Sequence, residues 1–213
     1  PTQVSMEIIK RIGRYLRGVP RLVRRFYLQQ WCGKIVTQVD ADHAGCVITR
    51  KSTTCTSMMH GTHHLAFTSN LQATQAMSSG ESEFYAISKG LSVSLGMRSL
   101  VLDMGLPSLK IIIEIDATAG KGIAQRLGAG KLKHIETRFL WSQRVFHDRL
   151  ADLKKIPRAL NASDIGTRHC TANEIQTGLK QMNYYELLGS SKLALKAVGQ
   201  RSTTDKENVN VMD

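Results

Sequence analysis

Cysteine is scarce and poorly placed for chemistry: Cys32, Cys46, Cys55 and Cys170 form no Cys-x-x-Cys pair. No stretch resembles a secretory signal, and no apolar run reaches transmembrane length. The expectation is therefore a soluble chain in a reducing, intracellular compartment, with no membrane partner. Internal repeats and low-complexity tracts are also missing. Acidic residues are in deficit, 17 Asp+Glu against 29 Lys+Arg for a net charge of +12, which favours a polyanion such as nucleic acid or an anionic membrane surface. The surplus is uneven: residues 1–30 carry seven Lys/Arg against one Glu, residues 31–170 seventeen against eleven, and residues 171–213 five against five. An initiating Met is missing too, and Pro1 in its place leads us to expect a processed or excised piece of a longer chain.

What is present is enough for a core: 42% of the 213 residues are hydrophobic, which fits one domain with extensions. From Ser5 to Arg17, Ile9, Ile12 and Leu16 recur at helical spacing among Lys10, Arg11, Arg14 and Arg17, and Gly18-Val19-Pro20 ends the run. This reads as a basic amphipathic helix in an extension covering residues 1–30.

The domain proper is expected at 31–170. Lys34 to Asp40 is strand-like, and Thr53 to His60 with His63 to Thr68 flank a Gly61-Thr62 turn, giving three antiparallel strands in succession. Ser78-Ser79-Gly80 opens a long helix to about Met104, with Phe84, Ile87, Leu91, Leu95 and Leu102 as its buried stripe. Lys110 to Asp116 is a β-branched run suited to a strand covered on both faces. Strand, long helix and strand require the crossover that joins parallel strands. A short helix from Ala117 to about Arg126, a Gly/Lys-rich loop, a helix from about His134 to Asp148 and a strand from Leu150 to Ile156 complete the sheet. Asn161 to Asp164 reads as the cap and first turn of another helix. Beyond 170 we expect a helix from Ala172 to Leu188 and a polar tail from Gly189. The fold class is α/β, with a five-stranded mixed sheet, three antiparallel strands then two parallel, flanked by helices.

In such sheets, sites gather where a central strand and its neighbour end. Asp40 and Asp116 each close an apolar strand. On the long helix Glu83 lies four residues before Ile87 and shares its inward face, whereas Glu81, about 200° away around the helix, is expected to face water. Asp164 can complete the group. Clustered carboxylates repel one another without a cation, and hard oxygen ligands suit Mg²⁺ or Mn²⁺. Asp42 shares the face of Asp40 and is not separable from it by periodicity alone. Lys121, Arg126, Lys131, Lys133 and Arg138 form a basic stretch fit to meet a phosphate backbone. His60, His63 and His64 read as an exposed hairpin tip rather than a zinc site, because no carboxylate or thiol stands at a persuasive spacing. Phe84, Tyr85, Trp31 and Trp141 read as packing residues.

Several ordered blocks now carry a resemblance. Val39 to Gly45, Arg50 to Thr53, Ser78 to Ala86, Ile115-Asp116-Ala117, Lys133-His134-Ile135-Glu136 and Ser163 to Arg168 follow the order seen in the ribonuclease H domain of copia-type retrotransposon polyproteins. Ile9 to Pro20, with Tyr15-Leu16-Arg17-Gly18, is similar to the end of the reverse transcriptase that precedes that domain. The resemblance spans about residues 5–170 and implies a ribonuclease H-like fold. It further implies hydrolysis of the RNA strand of an RNA/DNA hybrid with two divalent ions, Mg²⁺ or Mn²⁺, held by Asp40, Glu83, Asp116 and Asp164. In that scheme Asp40 bridges both ions, Glu83 and Asp116 hold one and orient water, and Asp164 holds the other; RNA is told from DNA by its 2′-hydroxyl. His134 is a family feature, with phosphate contact and helix-start packing both open as its role. The chain departs from the family pattern at His43 for the usual Trp, Ala117 for Asn or Ser, Ser163 for Ala and Arg168 for Lys. These departures support the alternative of a domesticated, non-catalytic subunit that binds RNA or protein within a larger assembly.

Overall fold

The computed structural model describes residues 2–130, 134–187 and 189. They divide into two compact units, Arg24–Tyr185 and the described parts of the two termini around it. In the terminal unit, α1 (Gln3–Gly18) begins where the Thr2 hydroxyl accepts the Ser5 amide, and none of its residues is buried. Strands β1 (Leu22–Arg24) and β7 (Tyr184–Glu186) form a separate two-stranded ribbon. No described helix is long and apolar enough to cross a membrane.

The larger unit is built on five strands: β2 (Lys34–Ala41), β3 (Thr53–His60), β4 (His63–Leu71), β5 (Lys110–Ile115) and β6 (Ala151–Lys155). Their spatial order is β4-β3-β2-β5-β6. β2 runs antiparallel to β3 and β3 to β4, while β2 pairs with β5, and β5 with β6, in parallel. The expected sheet is thus present, strand for strand. Gly61, at a φ of 59°, turns the β3–β4 hairpin, and the isoleucines of β5 are covered on both faces: Ile111, Ile113 and Ile115 are fully buried and Ile112 nearly so.

The crossover from β4 to β5 contains α2 (Ser79–Asp103), capped by the Ser78 hydroxyl, which accepts the Glu81 amide at 3.2 Å. Phe84, Ile87 and Leu91 are buried against Val39, Ile111 and Ile113. The helix lies tight on β2 because position 90 is glycine: a Cβ there would fall 2.4 Å from a methyl of Val39. A buried hydroxyl pair, Thr37 with Ser94 at 2.7 Å, pins the same two elements. Leu95 packs on the core as expected, but Leu102 is exposed and Val101 is buried in its place. At its far end the helix rests on the smaller cluster of Ile35, Met58 and Leu109, which takes up the neighbouring helical position.

Beyond β5 come α3 (Thr118–Gln125) and α4 (Trp141–His147). The single helix expected from 134 to 148 is shorter: a 3₁₀ turn, Thr137–Phe139, precedes α4. The helix expected after Asn161 is likewise a 3₁₀ turn, Ala162–Gly166, held by i+3 bonds from the amides of Asp164 and Thr167. Helix α5 (Ala172–Gln181) stops short of Leu188, because Asn183 adopts a left-handed φ of 60° and the chain turns into β7. The tail expected from Gly189 lies, apart from that glycine, outside the described residues. Of the packing aromatics, Phe84 and Tyr85 are buried, whereas Trp31 and Trp141 are exposed. His64, expected at an exposed hairpin tip, is buried beside Tyr184.

Candidate metal centre

Because β2 and β5 are parallel, their carboxyl ends lie side by side, and Asp40 near the end of one faces the same edge as Asp116 just past the other. Glu83 reaches that edge from the first turns of α2. Asp40, Glu83 and Asp116 each bring a carboxylate oxygen within 4.8 Å of the other two, and they are the group among the described residues that can hold a cation. Asp40 and Glu83 are buried, while Asp116 is half-buried at the mouth.

The electrostatics match the crowding. Burial, then Asp40 and Asp116, push the Glu83 carboxyl up to about 9. Asp40 is raised by burial and by Asp116, against a hydrogen bond from the Thr167 hydroxyl. The Oε2 atom of Glu83 is buried with no hydrogen-bond partner. A carboxylate oxygen in that condition costs free energy unless something positive meets it. Three hard oxygen donors this close together fit a hard divalent cation.

Asp164 does not join the three. Its Oδ1 accepts from Arg158 at 2.9 and 3.1 Å, and its Oδ2 from Arg168 at 2.5 and 2.9 Å. Burial would raise its pKa, but the two guanidinium groups together hold it below the usual carboxylate range. The turn that carries it is nevertheless fixed close to Asp40. Asn161 donates to the Val39 carbonyl at 3.0 Å, the Ala162 amide donates to the Gln38 side chain at 2.9 Å, and Thr167 donates to Asp40. Gly166 sits directly over Cys55, where a Cβ would fall 2.5 Å from the sulfur. Arg158, Arg168 and Thr167 line the same cleft, about 330 Å³, as the three clustered carboxylates.

Asp42 is set apart. Its Oδ1 accepts the Thr53 amide at 2.5 Å, so it closes the loop after β2 rather than entering the cluster. Glu81, expected in water, is buried: it accepts from the Tyr85 hydroxyl, from the Met77 amide at 2.9 Å and from His134 Nε2 at 2.8 Å. It does point away from Glu83, but the helix start is covered on that side too, by the segment carrying His134. Of the basic stretch, Lys121 stands half-buried on α3; Arg126 folds back to donate to the Ala129 carbonyl at 2.8 Å; Arg138 pairs with Glu136 at 2.6 Å and lies over Phe139. Lys131 and Lys133 lie outside the described residues. Sequence reasoning gave no site role to Arg158, Asn161 or Thr167. The bond from Thr167 to Asp40 spans 127 positions and leaves no local signal, although Asn161 was legible as a cap.

No family model matches the chain. It is 25% identical over 177 residues to the retrovirus-related Pol polyprotein of transposon TNT 1-94 from tobacco (Nicotiana tabacum), a match covering 83% of this chain and 13% of that polyprotein. The chain thus spans about an eighth of the curated relative. Among solved structures it is similar to a ribonuclease H1 isolated from compost by a metagenomic approach, with a TM-score of 0.48 at 16% identity over 63% of this chain and 93% of that one. The same compost enzyme has been solved with an RNA/DNA hybrid, with a TM-score of 0.40 at 12% identity over 63% of this chain and 94% of that one. Ribonuclease H1 of Halobacterium salinarum gives 0.39 at 16% identity over 63% of this chain and 95% of that one. With the strand order and the parallel β2–β5–β6 pairing in place, the chain has the five-stranded mixed sheet expected for a ribonuclease H-like fold, and its sequence is similar to that of a retrotransposon Pol polyprotein.

Proposed function

We propose that the chain is a metal-dependent ribonuclease H of copia-type ancestry, hydrolysing the RNA strand of RNA/DNA hybrids. The observation that carries this reading is the grouping of Asp40, Glu83 and Asp116, each with a carboxylate oxygen within 4.8 Å of the others, where Glu83 also has a buried oxygen without a hydrogen-bond partner. Asp40, Glu83 and Asp116 would hold one divalent ion, and Asp164, once free of its arginines, would help hold a second beside Asp40. Two such ions supply activation of the attacking water and stabilisation of the leaving oxygen of a phosphodiester. Thr167, by donating to Asp40, would fix the rotamer of that ligand, and Asn161 fixes the turn that carries Asp164. Lys121, Arg126, Lys131, Lys133, His134 and Arg138 are the proposed contacts to the hybrid backbone, and their contribution should weaken with salt. In this reading residues 1–30 are a reverse transcriptase remnant, 31–170 the catalytic domain and 171–213 an appendage.

One observation favours a second reading, a domesticated non-catalytic subunit that binds RNA or protein in a larger assembly: both oxygens of Asp164 are occupied by guanidinium groups. A single assay separates the two. Purified chain is incubated with a labelled RNA/DNA hybrid in Mg²⁺, in Mn²⁺ and in chelator, beside an Asp40→Asn variant. Cleavage of the RNA strand that needs metal and disappears with Asp40→Asn is the expected result. Hybrid binding without cleavage in either metal would favour the subunit instead.

A further inference from the structure

Asp164 is the one predicted ligand that the fold brings to the cluster's edge and yet keeps outside it. Only 11% of its side chain is exposed, and both oxygens are held in paired guanidinium contacts. The two arginines differ from it in exposure: 65% of the Arg158 side chain and 35% of Arg168 are open to solvent. Both line the cleft together with Asp40, Glu83 and Asp116. Arg168 is also drawn toward Glu174 at 2.8 Å, which gives it a second carboxylate partner on the far side from the cluster.

A planar, permanently charged guanidinium that pairs bidentately with a carboxylate is equally suited to a phosphate. A duplex backbone entering this cleft would present its phosphates to Arg158 and Arg168 before anything reached Glu83, because the arginines are the exposed groups at the rim. Each bond an arginine makes to phosphate is a bond withdrawn from Asp164, and a carboxylate left buried without partners is costly. Its nearest remedy is a cation shared with Asp40, to which Thr167 at the end of the same turn already donates.

We propose that Arg158 and Arg168 form a phosphate-binding clamp that doubles as an inhibitory latch: free of nucleic acid they hold Asp164 out of the metal centre, and a bound phosphodiester backbone releases it. The proposal rests on the metal-centre reading above and adds to it an order of assembly, nucleic acid first and second ion after. The coupling is reciprocal, so filling the second ion site should in turn strengthen nucleic-acid binding.

The test reads binding, not turnover. Mn²⁺ affinity and stoichiometry are measured by calorimetry and electron paramagnetic resonance on the full chain, on the Arg158→Gln/Arg168→Gln double variant, and on both backgrounds with Asp164→Asn; circular dichroism verifies folding. Without nucleic acid, the double variant should bind a second Mn²⁺ roughly 5- to 150-fold tighter than the parent, the range usual for coupled sites. The gain should vanish when Asp164→Asn is added. A gain that persists in the triple variant reports only the removal of two positive charges and overturns the latch. In parallel, fluorescence anisotropy with a 2′-O-methyl RNA/DNA hybrid should show weaker binding by the double variant, with a salt dependence shallower by about 1–2 phosphate contacts. An unchanged salt slope overturns the clamp. Absence of Mn²⁺ binding to every variant would instead sink the metal-centre reading, so the two failures are distinct. Should the double variant lose its fold, Arg158→Lys with Arg168→Lys, which keeps the charges but loses the fork, takes its place with the same expected direction.

Discussion

Gly120 on α3 lies so close to Glu83 that a Cβ added to it would fall 2.5 Å from the Cβ of Glu83 and within 3.3 Å of the backbone leading to Phe84. The contacted atoms are a helix backbone and the root of a side chain, not a flexible tip, so neither can easily give way. The position of one proposed ligand is therefore set by the absence of a side chain on the neighbouring helix. Gly120→Ala should cost about 1–3 kcal/mol of stability, as overpacked sites do. It should also weaken Mn²⁺ binding, because Glu83 must shift. Thermal melting and an Mn²⁺ titration check both; an unaltered metal affinity would mean that Glu83 is not a ligand.

The crowded carboxylates should show in the pH dependence of the metal-free protein. Glu83 is pushed up to about 9 by burial, Asp40 and Asp116, from an ordinary 4.5. Between those two values the folded chain holds a proton that the unfolded chain releases, so stability falls as pH rises through that window. Melting temperatures in chelator should decline from pH 5 to pH 8.5, and Glu83→Gln should flatten much of the decline. Adding Mg²⁺ or Mn²⁺ at pH 8 should stabilise the parent and do little for Glu83→Gln. A parent curve that rises with pH relative to the variant contradicts the crowding.

Asn161 is small in bulk but ties two distant segments. Its amide nitrogen serves the Val39 carbonyl at 3.0 Å, and its oxygen accepts from the amide and hydroxyl of Ser163. Asn161→Ala should lower stability by about 1–3 kcal/mol, the usual result of stranding buried polar groups. If the proposed function holds, cleavage should fall further than melting predicts, because the turn holding Asp164 is loosened. Rates measured well below the variant's melting temperature make that separation.

His134 and Glu81 give a prediction about stability, and His134 a second one about binding. Glu81 is buried under Tyr85, Met77 and His134, whose hydrogen bonds together outweigh burial and hold its pKa below the ordinary value. Glu81→Ala should cost about 2–3 kcal/mol and His134→Ala about 1 kcal/mol. The dependence of hybrid affinity on salt decides the role of His134: a slope unchanged in His134→Ala assigns the ring to packing, and one reduced by about one assigns it to a phosphate.

How far the sequence could be read depended on the range of the interactions. The isoleucine run of β5, the Ser78 cap and the Gly61 turn are local signals, and they place the sheet and crossover correctly. Glu83 was separable from Glu81 by helical phase, but phase says only which way a residue points. It does not say whether that direction is solvent, and for Glu81 the segment around His134 covers it. Leu102 and Val101 exchanged burial for the same reason, since an adjacent position on a helix is decided by what lies beneath it. The partners of Asp164 were illegible in a different sense. A carboxylate four residues from an arginine reads as a surface pair, and only the fold shows that the pair closes one wall of a cleft with Asp40 in it.

Cys55 sits opposite Asp40 in the β2–β3 register, beneath Gly166, and burial together with the Asp40 charge raises its thiol well above the ordinary range. A protonated sulfur with backbone stacked on it does not react. Its alkylation should therefore require the Ala162–Gly166 turn, which also carries Asp164, to lift away from it. The alkylation rate of Cys55, set against that of the half-exposed Cys32, Cys46 and Cys170, is thus a stopwatch built into the protein for the opening of one wall of the cleft.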